Sequence, residues 1–314
     1  VKNSSIKAMM ASAVLLFSLL LASCITLSES VNMLASQAVS EGLISRYHAN
    51  MIKIAAAAAN EATKTLTPEE EYYVGRAVAA SIFRSYPPYN NTGLNTYINK
   101  LGQGLAVYSS KPEIFSGYRF LVLDSPEINA FATPGGHILI TRGLLRLTRN
   151  EDELAAALAH EISHVALGHG LASVQGARLT QIASGFAINA GKASGGSVAG
   201  FTSAFGDSIA ELAQILIVSG YSQTFEFHAD REAGRMLLES GYEVKALSRL
   251  IERLPSRAVA TDSGSGYAKT HPEPVSRVEA LAAIIPEPSV NASFSLAVST
   301  PNRQERFEAM RVLF

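Results

Sequence analysis

Hydrophobic and polar positions divide this chain into stretches of different period. Leu94, Tyr97, Ile98, Leu101 and Leu105 recur at helical spacing and predict a helix from about Thr92 to Tyr108. Ahead of it, Thr67-Pro68-Glu69-Glu70 combines an N-cap, a proline at the first helical position and a capping-box glutamate. A helix is expected from there to about Ser85, where Pro87-Pro88 breaks it. The pattern then switches. Arg119 to Leu123 is an apolar run of strand length, turned by Asp124-Ser125-Pro126. Ile128 to Thr133 reads as extended, Pro134-Gly135-Gly136 as a turn, and His137 to Thr141 as a β-branched strand. Gly143-Leu144-Leu145 leads into a short helix. Next comes NEDELAAALAHEISHVALGH, Asn150 to His169, the strongest helix in the chain. Asn150 is its N-cap, Glu153 its capping-box partner, and Glu151, Asp152 and Glu153 suit the positive helix end. Gly168 is its natural terminator.

Beyond that helix the signal weakens and then returns. Leu171 to Phe205 is rich in Gly, Ala and Ser and reads as a poorly packed helix or a mobile loop. Ile209 to Val218 looks helical, but Glu211 interrupts it, and it is too short and polar to span a membrane. Ser222 to Glu239 is a second well-defined helix, ended by Gly241. A small sheet directly before the Asn150 helix, in an otherwise helical chain, predicts a mainly helical α+β fold.

Length and composition add bounds. The 314 residues, 47% of them hydrophobic, suffice for one large domain or two small ones. A net charge of −1 argues against nucleic acid as the main partner. The start of the chain reads as an address. Lys2 and Lys7 form a basic n-region and Ala8 to Ala22 an apolar h-region of signal-peptide length. It closes on Leu21-Ala22-Ser23-Cys24, which resembles the bacterial lipobox, and Cys24 is the only cysteine in the sequence. The expectation is a signal peptide over 1–23 and a lipidated Cys24 on an exported, bilayer-tethered protein facing the periplasm. Ile25 after the cysteine favours the outer membrane. The alternative is a buried free thiol behind an uncleaved anchor. From Ser28 to about Thr65 the Ala-rich chain reads as a tether with a loosely packed helix.

The chemistry lies on the two strong helices. His160, Glu161 and His164 stand in the order H-E-x-x-H. Four helical residues apart, both imidazoles project from one face and can bind one zinc at about 2.0–2.1 Å. Glu161 is then placed as general base for water at the metal. On the second helix Glu226 and Asp230 lie one above the other. Glu226 is the candidate third ligand, and Asp230 is placed to accept the N–H of a ligand His and fix its tautomer. The plain alternative is a solvated acidic face paired with Arg231 and Arg235. His228 is the less favoured ligand, and Glu232 replaces Glu226 if the register is misjudged. The metzincin pattern does not fit, because Leu167 and Gly170 occupy its Gly and His positions and His169 is out of step.

HEISH, then FEFHAD, then THPEPVSRVEAL (Thr270 to Leu281), with NAFATPGGHILITRGLL before the first, is similar to metallopeptidase family forty-eight, the group of HtpX and the CAAX prenyl proteases. The match runs from about Thr67 to Ile285. With the lipobox, it resembles the periplasmic lipoprotein branch of the LoiP and BepA type, without tetratricopeptide repeats. The resemblance implies a gluzincin-type zinc fold with one zinc held by His160, His164 and Glu226, and Glu161 and Asp230 as its catalytic pair. It places a His-Pro loop at the site, so His271 is either a fourth ligand or lid residue or a helix N-terminal residue with no metal role. The Ser/Gly-rich Thr261 to Gly266 suits such a lid. Arg277 is a candidate oxyanion stabiliser. Asn129, Ala130 and Phe131 are expected either to take substrate backbone by strand addition or to be ordinary sheet residues. His137 reads as structural. The expected domains are 24–66 as lipidated tether, 67–285 as peptidase and 286–314 as C-terminal tail. The expected activity is zinc-dependent endopeptidase cleavage of misfolded or unassembled envelope proteins. A chaperone or assembly factor with little hydrolysis is the alternative.

Overall fold

Local capping explains where the helices begin. The structure, a computed structural model, describes residues 27–46, 49, 50, 52, 53, 56, 66–173, 212–254, 271, 274–282 and 302–314. It divides into two units, 1–65 with 175–204 and 66–174 with 205–314. Of the first unit, the main described element is helix α1, Leu27–Ser40, which leaves Met33 and Leu34 exposed. Cys24, the signal-peptide stretch and Thr261 to Gly266 lie outside the described residues, as does all of Leu171 to Phe205 except 171–173. Among the described residues no helix is long and apolar enough to cross a membrane.

In the second unit, α2 (Pro68–Ile82) starts on a reciprocal capping box. The Thr67 hydroxyl accepts from Glu70 N at 3.2 Å, and the Glu70 carboxylate accepts from Thr67 N at 2.8 Å. It ends at Ile82, ahead of the expected Ser85, because the chain turns there toward the proline pair. Helix α3 (Thr92–Ala106) is capped by Asn91 and buries Leu94, Ile98, Leu101 and Leu105. Three strands follow: β1 (Arg119–Leu123), β2 (Ala130–Thr133) and β3 (His137–Thr141), in the order β1-β3-β2. β1 runs parallel to β3, with Val122 opposite Ile140, and β2 runs antiparallel, with Phe131 opposite Leu139. β2 starts only at Ala130: Thr141 N still donates to Asn129 O at 3.0 Å, but Asn129 N donates to the Thr141 hydroxyl and not to its carbonyl. The Pro134–Gly136 turn joins β2 to β3. Gly135 sits there at φ 68°, and a Cβ on it would lie 2.4 Å from the Tyr72 backbone, so only glycine fits.

Helix α4 (Arg142–Leu147) leads to α5 (Glu151–Ala166), the axis of the domain, in which every residue from Glu151 to Val165 is buried. Asn150 caps it by accepting from Glu153 N at 2.9 Å. The expected return bond is shifted by one residue, because the Glu153 carboxylate accepts from Arg149 N and pairs with Arg253. Glu151 and Asp152 are likewise paired, with Arg306 at 2.5 Å and Arg303 at 3.3 Å. Buried acids at a helix N-terminus therefore carry cationic partners as well as the favourable dipole. After the undescribed stretch, Ile215–Ser219 forms a single π-turn closed by Gly220 N donating to Ile215 O at 2.7 Å. Leu212 and Leu216 beside it pack on Phe131 and Leu139. Helices α6 (Gln223–Glu239) and α7 (Lys245–Arg253) pack on α5, and α8 (Pro274–Ala282) packs on α6 and α7. A last helix, α9 (302–311), lies in the stretch read as a C-terminal tail, yet Phe307 and Phe314 belong to the main core. The architecture is the mainly helical α+β arrangement, with its small sheet beside α5.

Candidate metal centre

Two packed helices bring the donors together. His160 and His164, one turn apart on α5, sit edge to face at 4.7 Å between ring centres, with their Nε2 atoms 3.1 Å apart. Glu226 on α6 reaches both, Oε2 lying 3.4 Å from His160 Nε2 and Oε1 3.4 Å from His164 Nε2. His271 adds a fourth donor, its Nε2 3.8 Å from Glu226 Oε1. One ligand atom from each of these four lies within 4.8 Å of all the others, and all four residues are buried.

A second layer holds these groups. Asp230, one turn beyond Glu226, sets Oδ1 2.9 Å from His160 Nδ1. Arg277 on α8 grips Asp230 with two hydrogen bonds of 2.7 and 2.5 Å and lies 3.3 Å from Glu226 Oε2. At 1% exposure, with its Nη2 on the Nδ1 side of His160, Arg277 backs the donors. That position speaks for a counter-ion, not for the oxyanion role expected from sequence. His164 Nδ1 meets His169 Nδ1 at 2.9 Å. Tyr221 stacks on His164 at 4.2 Å and 15°, and its hydroxyl donates to Ala132 O at 3.2 Å.

Hydrogen-bond geometry tests whether this set suits a metal. In the tautomers a metal requires, Nδ1 of His160 donates to Asp230 and Nδ1 of His164 to His169, and both Nε2 atoms carry lone pairs. Two lone pairs facing across 3.1 Å repel unless a cation lies between them. Both Glu226 oxygens are buried with no hydrogen-bond partner, which is costly for a carboxylate. Four donors at about 2.0–2.1 Å from a tetrahedral centre lie about 3.3–3.4 Å from one another. The 3.1 Å between the two imidazoles is close to that edge, each imidazole meets a different Glu226 oxygen at 3.4 Å, and the His271 contact at 3.8 Å is open. The set fits a divalent metal ion taken by imidazole and carboxylate.

Charge follows the same arrangement. Burial disfavours the Glu226 carboxylate, but His271 and Arg277 outweigh it and hold its pKa well below the usual range. Burial likewise opposes Asp230, and Arg277 overcomes it to lower that pKa. Burial pulls His160 down, yet the neighbouring Asp230 and Glu226 carboxylates lift it to about 9. Burial takes His164 down to about 4 and pushes Glu161 up to about 7. Glu161 lines a small cleft with Ala130, Ala132, Leu216, Tyr221 and His271. A carboxyl poised near neutrality beside the donors, at the edge of β2, is the arrangement a general base needs.

Other candidates fall away. Glu232 is committed to Arg235 at 2.7 Å and to Ser110 N at 2.8 Å, and His228 is exposed. Arg235 pairs with Glu232 and Glu239, so Glu226 and Asp230 are not members of a solvated acidic face. His137 stands on β3 against the Tyr72 ring at 5.0 Å. His169 is the residue that spacing alone missed.

Comparison with known proteins agrees with this geometry. Residues 93–285 match the model of peptidase family M48. The chain belongs to peptidase family M48. Its curated relatives include the beta-barrel assembly-enhancing protease of Escherichia coli, 31% identical over 221 residues, covering 69% of this chain and 44% of the relative. The mitochondrial metalloendopeptidase OMA1 of Schizosaccharomyces pombe is 24% identical over 212 residues, covering 68% of this chain and 58% of the relative. The metalloprotease LoiP of Escherichia coli is 29% identical over 161 residues, covering 51% of this chain and 58% of the relative. The chain thus spans less than half the length of the first of these relatives. As a family of metallopeptidases, M48 requires a metal, and the His-His-Glu-His cluster is where this chain's donors converge.

Proposed function

We propose that the protein is a zinc-dependent metalloendopeptidase, with His160, His164 and Glu226 as its permanent ligands. The observation that carries this reading is the buried Glu226 carboxylate, without hydrogen-bond partners, facing two imidazole Nε2 atoms at 3.4 Å each beside Glu161. Bound zinc supplies polarisation of the scissile carbonyl and a lowered pKa for water. Glu161 takes the proton of the attacking water and hands it to the departing amine nitrogen. Asp230 holds His160 as the Nδ1–H tautomer, and Arg277 balances the charge of Asp230 and Glu226. The edge of β2, at Asn129, Ala130 and Phe131, takes the substrate backbone. His271 would be the fourth residue of the site, a ligand or lid that keeps it latent and that would have to move for water to enter.

The substrates in this reading are misfolded or unassembled cell-envelope proteins. It rests on the name of the beta-barrel assembly-enhancing relative and on the lipobox-like Leu21-Ala22-Ser23-Cys24. Residues 1–23 are then a signal peptide, 24–66 a tether lipidated at Cys24, and 67–285 the peptidase with 302–314 packed on it. The protein faces the periplasm from the outer membrane. A second reading, a chaperone or assembly factor with little hydrolysis, is favoured by one observation: His271 stands where water would enter.

Metal analysis with casein cleavage, with and without a chelator, tests the first reading. The expected result is about one zinc per chain and cleavage abolished by the chelator. Glu161→Gln keeps the zinc and loses cleavage; retained cleavage by the pure variant overturns the mechanism. If that variant still performs the cellular role, the second reading stands.

A further inference from the structure

We propose that His169 is the positioning residue for His164, doing with an imidazole what Asp230 does for His160 with a carboxylate. The inference rests on the zinc reading above, since it concerns how a ligand of that site is held. His164 Nδ1 lies 2.9 Å from His169 Nδ1 in a buried pair. A metal on His164 Nε2 requires the ring's remaining proton on Nδ1, and a donor at that distance requires an acceptor opposite. His169 can accept there only as a neutral ring protonated on Nε2. The opposite choice, His169 donating, would put the His164 proton on Nε2 and exclude the metal.

The surroundings hold His169 in that role. Its ring stacks on Phe225 at 4.4 Å and 7°, while Tyr221 stacks on His164, so each imidazole is held by an aromatic partner, with the two imidazole planes 72° apart. Backbone geometry delivers the ring. On an unbroken helix the side chain five residues after His164 points about 140° away from it. Gly168, at φ 69°, stops α5 and reverses the chain, and 169–173 begins a new helical turn with Ser173 Oγ donating to His169 O at 2.9 Å.

Two variants and one wild-type measurement test this. His169→Phe keeps a ring against Phe225 and removes the acceptor. His169→Asn loses the stack and returns an acceptor oxygen near the Nδ1 position. In chelator competition, Phe is expected to weaken zinc binding about 10–100-fold with faster release, and Asn to recover most of that loss. Equal zinc affinity in His169→Phe and wild type, or no difference between the two variants, overturns the role. Nitrogen-correlated NMR of the zinc-loaded wild type gives an answer independent of how the variants fold. His169 as the Nε2–H tautomer with His164 as Nδ1–H supports the proposal, and His169 protonated on Nδ1 overturns it. A wild-type protein that binds no zinc sinks the underlying reading instead, which separates the two failures.

Discussion

Arg277→Met removes the positive charge behind the metal centre while keeping much of the side chain's bulk. Arg277 is 1% exposed, makes two short hydrogen bonds to Asp230 and lies 3.3 Å from Glu226. Its loss leaves two buried carboxylates with one cation fewer. Breaking a buried pair by removing one partner costs about 3–5 kcal/mol, because the charge left behind keeps its desolvation penalty. For a domain of this size each kcal/mol lowers the unfolding midpoint by about 2–4 °C, so the metal-free variant is expected to melt about 6–20 °C lower. Zinc compensates Glu226 but not Asp230, so loading both proteins narrows the gap without closing it. Arg277→Lys rescues little, because an ammonium cannot reproduce the two-pronged contact with Asp230. Calorimetry of the chelated and zinc-loaded forms reads the difference. A drop under about 2 °C in both forms would refute the argument that this guanidinium is the counter-ion.

Two further predictions concern stability. In the chelated protein His160 has its pKa raised from 6.5 to about 9, so its contribution is fully present below pH 6.5 and is lost as pH rises through 9. The chelated protein should therefore lose stability between pH 7 and 9 while zinc binding tightens, which widens the melting difference between zinc-loaded and chelated samples; a difference that narrows goes against it. Phe307→Ala, a fully buried ring in α9, should cost about 3–5 kcal/mol in denaturant unfolding. A near-neutral effect would show that 302–314 is dispensable to the core.

Much of this site was legible because its signals are local. Asn150 and Gly168 bound α5 through capping and backbone rules that act within a turn. His160 with His164, and Glu226 with Asp230, are i,i+4 pairs, and helix geometry alone puts each pair on one face. What stayed hidden depends on distant or reversed chain. Arg277 meets Asp230 across 47 residues, and no periodicity shows which way its guanidinium points. His169 is out of step with the third-His position of the metzincin pattern, and only the turn at Gly168 brings it to His164. The acids Glu151, Asp152 and Glu153 were read as dipole partners, while Arg306, Arg303 and Arg253 arrive from other helices. The family resemblance supplied His271, which no spacing rule connects to α5.

His271 differs from the other donors in how it is attached, and that sets its expected behaviour. His160, His164 and Glu226 sit on two helices packed along their length, whereas His271 precedes α8 and is not part of either. Six residues later the same segment is pinned by Arg277 to Asp230. His271 can therefore swing away while Arg277 and the three helical donors keep their places. His271→Ala should retain zinc through those three ligands and admit water at the fourth position. Cleavage then rises by the inverse of the open fraction: if the closed form is favoured by about 1.4 kcal/mol, the gain is about tenfold. Zinc content and casein cleavage measured on the same preparation decide the matter. Cleavage that rises at unchanged zinc content supports a displaceable ligand. Zinc and cleavage lost together would mean that His271 is as permanent a ligand as the others, and latency would have to come from elsewhere in the cleft.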